Sequence, residues 1–545
     1  VEDVAVRASF ALSYQCLPPG AAQVFRALGL IAGPDFTADA VAALTETTHG
    51  EAHILLEGLL DAHLLEPAPT PERYRLHDLL RLYARERAHA EDRDQDRHAA
   101  IRRLLTWYLA TADTADRLLN PECGRTPHDR ASERSEPILT SRTEALDWFE
   151  PERASLVAAT RQAADEGLAP IAWRLPGALW RFFHFRKYHT DWQDTHDVGL
   201  AAARQARDRQ AEASLLSNLS VTYRELLRFD EALGCAQQAL AISQDIGDPQ
   251  GESRTLTNLA AVHAELHEFD QAIDCCEEAL VMHRQLGDRY REGVTLYTLG
   301  TTYRHFQRFD EAIDHLGCAL RIFRQINDRH GESHTLTNLA LLSLDLQRFD
   351  VALDCSQQAL TVQREIGDRH GEGRTLDGIG IVYRSLRRFD DAITCFKHEL
   401  AIDRELGDHA AEGVTLTNLG NVYDDVGRFD EAIDCYHQAL GRYQEVNDRR
   451  GEAMVLGNLG GTFSRLRRFD EAVTCYERQR ALCRQLGDRQ GETTAHDHLD
   501  LALQHSRGVD AAPASWRERL SGQRRTRGVG GRQDPRQPQG DDRDA

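Results

Sequence analysis

Apolar residues recur at helical spacing along most of this chain. Between residues 211 and 490 the whole pattern repeats every 40 residues, seven times, without an insertion or deletion. In the clearest copy, residues 415–440, one apolar stripe runs from Leu416 to Tyr423 and a second ends at Leu440, both with spacings of three and four. Two stripes separated by a short turn predict two antiparallel helices per unit, here named helix A and helix B.

The joints between units carry the residues that end one helix and begin the next. Helix B ends at a glycine or asparagine, the two residues that best tolerate the left-handed conformation after a helix; these are Gly247, Gly287, Asn327, Gly367, Gly407, Asn447 and Gly487. The next residue is always Asp, a good N-cap. We therefore predict, in one unit, helix A over 249–266 and helix B over 269–286.

The unit has the sequence features of a known repeat. N-L-G-x-x-Y at 418–423, F-D-E-A-I at 429–433 and A-L at 439–440 together resemble the tetratricopeptide repeat. The common unit has about 34 residues, and the longer period is similar to that of Pins-type and kinesin-light-chain-type arrays. The resemblance implies an all-α fold, a right-handed superhelix of stacked helix pairs.

The array needs ends that cover its open faces. We expect a degenerate repeat at 169–210 before the seven repeats of 211–490, and a capping helix at 491–505. A helical linker region is expected at 96–168, with a polar loop from about Pro121 to Pro137. The tail at 506–545 is rich in Gly, Arg, Gln and Pro, a composition typical of disorder.

Residues 1–95 have a different pattern, several short amphipathic helices followed by two predicted strands, 64–66 and 74–76, around a Pro-rich turn. This segment resembles the winged-helix domain that follows the nucleotide-binding module of NB-ARC (STAND-class) ATPases. It is most similar to that of actinobacterial regulators in which the module precedes tetratricopeptide repeats. The fold expected for the whole chain is therefore the repeat superhelix with an N-terminal, mostly helical winged-helix domain.

A nucleotide-related motif lies in this segment. Leu76-His77-Asp78 matches the M-H-D motif of that family, with Leu for Met. The resemblance implies that His77 contacts the β-phosphate of ADP and that Asp78 holds the local turn. Equally, His77 could be a partly exposed residue that caps a helix. The chain has no G-x-x-x-x-G-K-[ST], so any nucleotide site is half a site.

This absence defines the cofactor prediction. We expect no cofactor in this chain alone, and ADP or ATP only if an upstream nucleotide-binding domain exists. The first residue is Val1 and not Met, so the chain is expected to be a fragment or a product of a non-standard start codon.

Helix A of each tetratricopeptide unit is expected to line a concave groove that holds a protein or peptide ligand. The family asparagine that binds an extended peptide backbone corresponds to Asn218, Asn258, Asn338, Asn418 and Asn458. An amide suits this role because it both donates and accepts. These side chains could instead bond to the neighbouring repeat, and the series is interrupted at Thr298 and Gly378.

Other groove positions are expected to select the ligand, namely Arg254, Arg374, Tyr297, Arg224, Arg304 and Arg384. Guanidinium groups bind carboxylates through paired hydrogen bonds, which favours an acidic peptide. The alternative is that these residues form an ordinary solvated surface.

Charge and composition restrict the function. The formal net charge of −22 argues against direct nucleic-acid binding by the array, and no apolar run approaches the length of a membrane span. The N-terminal residues do not form a signal peptide, so a cytoplasmic location is expected. We find no nucleophile–base pair, metal cluster or phosphate loop, and predict no enzyme activity.

Two functions fit these observations. The chain is expected to be the sensor and regulatory portion of a STAND-class signalling or transcription regulator, with an oligomer possible in the active state. The alternative is a stand-alone scaffold for protein–protein interaction.

Overall fold

The computed structural model describes residues 2–119 and 139–506. The predicted loop from Pro121 to Pro137 and the predicted tail beyond Ser506 lie outside these residues. The chain divides into two compact units, Val1–Gly331 and Glu332–Ala545. In the described residues the structure contains 24 helices and three short strands, and none of these helices is long and apolar enough to cross a membrane.

The first unit opens with five helices and one small sheet. The helices are α1 (Glu2–Gln15), α2 (Pro19–Leu28), α3 (Ala38–Thr45), α4 (His49–Asp61) and α5 (Asp78–Glu91). The strands are β1 (Phe36–Thr37), β2 (Glu66–Pro67) and β3 (Arg73–Arg75), in the antiparallel order β1-β3-β2. Both expected strands are present but shifted by one or two residues, and β1 is a strand that the sequence pattern did not indicate. Phe25, Phe36 and Leu44 are fully buried among these elements.

Four longer helices follow, α6 (Asp94–Leu119), α7 (Arg142–Asp165), α8 (Ala169–Arg186) and α9 (His189–Ala206). The Arg73 guanidinium of β3 bonds to Glu152 of α7 at 2.6 Å and to Asp35 at 2.6 Å. Gln162 of α7 donates to the Leu30 carbonyl oxygen at 2.7 Å. These contacts attach α7 to the segment that precedes α5.

The 40-residue pattern forms one helix pair per repeat. In the first unit the helices are α10 (Arg209–Glu225), α11 (Phe229–Ile246), α12 (Pro249–Glu265), α13 (Phe269–Leu286), α14 (Arg289–His305) and α15 (Phe309–Gln325). Next, α16 (Arg329–Asp345) contains the boundary between the units. The second unit continues with α17 (Phe349–Ile366), α18 (Arg369–Ser385), α19 (Phe389–Leu406), α20 (His409–Asp425), α21 (Phe429–Glu445), α22 (Arg449–Arg465), α23 (Phe469–Leu486) and α24 (Arg489–Ser506).

Helix boundaries agree with the prediction to within one residue, since α12 and α13 cover 249–265 and 269–286. The predicted caps are also present. Gly247 has a φ of 65° and Asn327 a φ of 56°. Asp248 Oδ1 accepts a hydrogen bond from the Gly251 amide at 3.0 Å, which satisfies one of the free amides at the start of α12.

The turns between helix A and helix B contain a feature that the sequence did not reveal. One residue in each turn has a positive φ, and glycine occupies this position in only one of the seven repeats. The residues are Leu227, His267, Gln307, Gln347, Arg387, Gly427 and Arg467. The following arginine often packs on an aromatic ring of helix A: the Arg428 guanidinium lies 4.6 Å from the Tyr423 ring centre and pairs with Glu431 at 2.6 Å.

Small residues allow the two helices of a repeat to approach each other. A Cβ atom added at Gly420 would lie 2.6 Å from Cε1 of Tyr436, closer than real Cβ contacts. Tyr436 is 1% exposed. The glycine in N-L-G-x-x-Y is therefore needed for packing between the helices, and its α conformation requires no special backbone freedom.

A glutamate recurs at each joint, and in several repeats it is buried. The carboxylate of Glu412 on α20 forms ion pairs with Arg404 of α19 at 2.7 Å and with Arg442 of α21 at 2.9 Å. The Glu412 side chain is only 3% exposed. The same position binds arginines in other repeats, as in the pairs Arg284–Glu292 and Arg364–Glu372. At these joints the glutamate that recurs every 40 residues is thus an ionic link between consecutive helices, whereas Glu252 accepts a hydrogen bond from Gln244 at 2.9 Å.

Candidate binding surface on helices A

The five candidate asparagines occupy one position, the tenth residue of α10, α12, α16, α20 and α22. All five are partly buried. The regular register places one amide on each of these helices, and the two exceptions are again Thr298 and Gly378. The structure therefore places these asparagines at one repeated, partly buried position of helix A.

Three of these amides bond to the preceding helix A. Asn258 Nδ2 donates to the Ser217 carbonyl oxygen at 3.1 Å, and Asn418 Nδ2 donates to Asp377 Oδ1 at 2.7 Å. Asn458 Nδ2 donates to Asn421 Oδ1 at 3.1 Å. These contacts link neighbouring repeats; Asn418 and Asn458 use one amide hydrogen each, whereas Asn258 also donates to Ser217 Oγ at 3.1 Å.

The remaining two amides differ. Asn338 Nδ2 donates to the His334 carbonyl oxygen of its own helix at 3.1 Å. Asn218 lies at the same register of α10 and is partly buried. A ligand role for the series therefore has to coexist with structural hydrogen bonds at Asn258, Asn418 and Asn458.

The candidate arginines are spread over several repeats of both units and do not form one cluster within either. Arg254 donates to Ser214 Oγ at 3.0 Å, Arg224 pairs with Glu225 at 3.1 Å, and Arg384 pairs with Asp425 at 2.7 Å. Arg374 of α18 is exposed. Tyr297 and Arg304, both on α14, are partly exposed. Two of the five candidate arginines, Arg224 and Arg384, are thus already paired with carboxylates of the chain.

His77 and Asp78 lie at the start of α5. His77 is the N-cap residue, and its Nδ1 accepts a hydrogen bond from the Leu79 amide at 3.3 Å. Both residues are exposed, whereas Leu76 is 3% exposed. One turn later, the Arg81 guanidinium donates to the carbonyl oxygens of Ile31, Gly33 and Pro34. Burial lowers the pKa of Arg81.

A polar seam inside the array was missed by the sequence analysis. It joins helix A, the following helix B and the next helix A. In one repeat Thr257 contacts His283 at 3.4 Å and Thr295 at 2.8 Å. In another, Thr337 contacts Gln363 at 3.4 Å and Thr375 at 3.5 Å. The identity of these positions varies too much between repeats to be recognised as a motif.

In the repeat of α18 and α19 the seam is acidic. Its positions are held by Asp377 and Asp403, and the next helix supplies Thr415, whose hydroxyl donates to Asp403 at 2.7 Å. Glu399 adds a third carboxyl; other repeats have Ala here, namely Ala239, Ala279, Ala319, Ala359 and Ala439. This break in the alanine series is the signal that could have located the cluster.

Comparison with known proteins supports the repeat assignment. The tetratricopeptide repeat family model matches residues 213–246, 251–325, 332–405, 378–445 and 412–485. A signal transduction ATPase with numerous domains (STAND) that has a tetratricopeptide repeat sensor, from Pyrococcus horikoshii, aligns with a TM-score of 0.56 and 14% identity. The alignment covers 90% of this chain and 65% of that one.

Two regulators are similar over part of the chain. The regulatory protein AfsR of Streptomyces coelicolor is 42% identical over 172 residues, which is 30% of this chain and 17% of AfsR. AfsR of Streptomyces griseus is 37% identical over 245 residues, 44% of this chain and 25% of that protein. The chain thus spans only a minor part of these relatives. The repeats of this chain form a tetratricopeptide-type helical array, and the chain is homologous over part of its length to AfsR-type regulatory proteins.

Proposed function

We propose that this chain is the sensor and regulatory portion of a STAND-class signalling or transcription regulator, and that the helix A face of the array binds a segment of another protein. Similarity to AfsR regulators supports the regulatory role. The observation that carries the proposal is the polar position repeated on five of the seven helices A, occupied by Asn218, Asn258, Asn338, Asn418 and Asn458. One repeat is too small to bury a ligand, so several must share it.

The hydrogen bonds of these amides limit how a ligand is held. Asn418 and Asn458 each use one amide hydrogen in the bond to the preceding helix A. The second amide hydrogen and the side-chain carbonyl oxygen can therefore bond to a peptide backbone while the first bond links the repeats. A single hydrogen bond contributes about 1 kcal/mol net. Replacement of one of these asparagines by alanine should therefore weaken ligand binding several-fold and leave the helices folded.

Selection of the ligand by charge is best tested at Arg374, since Arg224 and Arg384 are already paired with carboxylates. We propose that an acidic segment is bound, so Arg374→Glu should weaken binding, and salt should have the same effect. Arg478→Glu on α23, also exposed, makes the same charge change on a helix B. The partner is first isolated on the immobilised chain, and its affinity for each variant is measured by calorimetry. Equal loss in the two variants would refute a specific role of helix A.

A nucleotide contact at His77 is a separate proposal. With Nδ1 accepting from Leu79, the neutral ring carries its proton on Nε2, a donor suited to a phosphate oxygen. The start of α5 also favours an anion. These residues fit one side of an ADP site. Since the chain lacks a phosphate loop, we expect the chain alone to bind ADP weakly or not at all, which calorimetry measures.

The role of His77 has a second test in a protein that contains this chain together with an upstream nucleotide-binding domain. In such a parent protein, His77→Ala should release ADP faster, and nucleotide retention after gel filtration reports this. Unchanged retention would contradict the proposed role of His77. The alternative function, a stand-alone scaffold, predicts ligand binding by the array with no effect of nucleotide.

A further inference from the structure

We propose that the carboxyls of Asp377, Glu399 and Asp403 form a proton-binding cluster that makes the packing of α18, α19 and α20 sensitive to pH. This property is distinct from ligand binding on the helix A face, although Asn418 takes part in both, since it donates to Asp377. The inference rests on burial, on the partners of each carboxyl and on the departure of Glu399 from the repeat pattern.

Two carboxyls of the cluster are buried, and Asp377 is half-buried. Glu399 and Asp403 are each 5% exposed, on adjacent turns of α19. Glu399 occupies a position where five other repeats pack an alanine, so a carboxyl has been inserted at a close contact between helices. A buried ionised carboxylate is costly unless it is paired and hydrogen-bonded.

The three carboxyls have too few hydrogen-bond donors around them to stabilise three negative charges. Asn418 donates to Asp377 Oδ1 at 2.7 Å and Thr415 donates to Asp403 Oδ2 at 2.7 Å. Glu399 Oε2 is buried and has no hydrogen-bond partner among the residues that the structure describes. Neutral donors therefore satisfy two carboxyl oxygens and leave one buried oxygen without a donor.

Cations of the surrounding elements bind elsewhere. On α19 Arg404 pairs with Glu412, on α21 Arg442 pairs with the same Glu412, and on α17 Arg364 pairs with Glu372. The charged groups that act on the cluster from α20 and its cap are Asp408 and Glu412, which add negative potential at Asp403. Among the described residues no cation acts on these three carboxyls, and Arg374, three residues before Asp377 on α18, is exposed. Binding of a proton would remove their charge.

The direction of the pH effect follows from burial. Desolvation, together with the neighbouring carboxyls, raises the pKa of Asp377 to about 6 and that of Glu399 to about 10. Desolvation raises the pKa of Asp403 to about 6. The ordinary values are about 3.9 for Asp and about 4.3 for Glu. The folded chain thus retains protons that the unfolded chain releases, and the stability present at low pH is lost as pH rises through the folded values.

The experiment measures urea unfolding of the full chain by circular dichroism from about pH 5 to about pH 8.5, above the ordinary carboxyl values. Each proton held only by the folded state raises the unfolding equilibrium constant about tenfold per pH unit. Glu399→Gln keeps the size of the side chain and removes the charge. It should match the wild type at the acidic end and become increasingly more stable than the wild type as pH rises.

A matched control exists in the last repeat, where Gln479 occupies the register of Glu399. Gln479→Ala should leave the pH dependence parallel to the wild type. Asp377→Asn provides a second neutral variant if Glu399→Gln fails to fold; its divergence from the wild type should have the same sign but level off above about pH 6, the folded pKa of Asp377. Parallel curves for the wild type and the neutral variant would overturn the proposal, and so would a pH dependence that millimolar Ca²⁺ abolishes.

Discussion

The joint glutamates allow a quantitative test of how the repeats are held together. Glu412 is 3% exposed and accepts bonds from Arg404 at 2.7 Å and Arg442 at 2.9 Å. A hydrogen bond to a charged group contributes about 1.5–3 kcal/mol. Because the arginine side chains are 50% and 34% exposed, solvent screening places each contribution at the low end.

Glu412→Gln keeps one acceptor oxygen and turns an amide group toward a guanidinium. We therefore expect a loss of about 2 kcal/mol in the stability of the second unit, from one weakened charged hydrogen bond and one removed. Stability in an array is largely a sum of terms between neighbours, so the loss should be local. Hydrogen exchange should increase most in α19, α20 and α21, while a urea titration reports the total.

Glu431→Gln is the matched control, since the same change is made to an exposed carboxylate that pairs with Arg428 at 2.6 Å. The Glu431→Gln variant should be nearly as stable as the wild type, and the small difference in stability should disappear in high salt. If Glu412→Gln costs no more stability than Glu431→Gln, the joint glutamate does not hold the repeats together and the reasoning above is wrong.

Three further outcomes are expected. The double variant Asn418→Ala, Asn458→Ala should lose more ligand affinity than either single variant, and its melting temperature should fall only slightly, because two hydrogen bonds between repeats are lost at about 1 kcal/mol each; unfolding or normal binding would show that these amides do not serve a ligand. Arg387→Gly should raise the melting temperature slightly, because glycine relieves a left-handed residue that costs about 1–2 kcal/mol, offset in part by its chain entropy; a lower melting temperature contradicts this. Glu152→Ala leaves Arg73 buried without its main partner and should destabilise the first unit by about 3–5 kcal/mol in urea unfolding, and a loss below about 1 kcal/mol, typical of an exposed pair, would exclude it as a structural contact.

The positions of the helices in the repeats could be predicted from the sequence because they depend on interactions between residues close in the chain. A stripe with spacings of three and four, a glycine such as Gly247 and an N-cap such as Asp248 act within about two turns of the chain. Because the unit is present seven times at a period of 40 residues, positions that vary in one copy can be recognised from the others. Predicted and observed bounds of α12 and α13 consequently differ by at most one residue.

The turns between helices A and B show where local preference fails. A single left-handed residue must reverse the chain between two packed helices, and the seven repeats place Leu, His, Gln, Arg or Gly there. Close packing of the helices outweighs the cost of that conformation, so residue type does not identify the position. The short strand β1 was missed for a related reason, since two residues become a strand only by pairing with β3.

The candidate binding positions could be listed from the sequence, but their partners could not. The repeat register placed Asn418 on helix A, whereas its bond to Asp377 joins residues 41 positions apart. The same holds for the acidic seam, in which Glu399 meets Asp377 and Asp403 across two helices. The sequence by itself determined the helices, their caps and the repeat period, because these arise from contacts near in the chain. Only the tertiary structure decided which buried carboxyls lack a cation and which arginines are already paired, because burial and charge pairing depend on groups from different helices meeting in space.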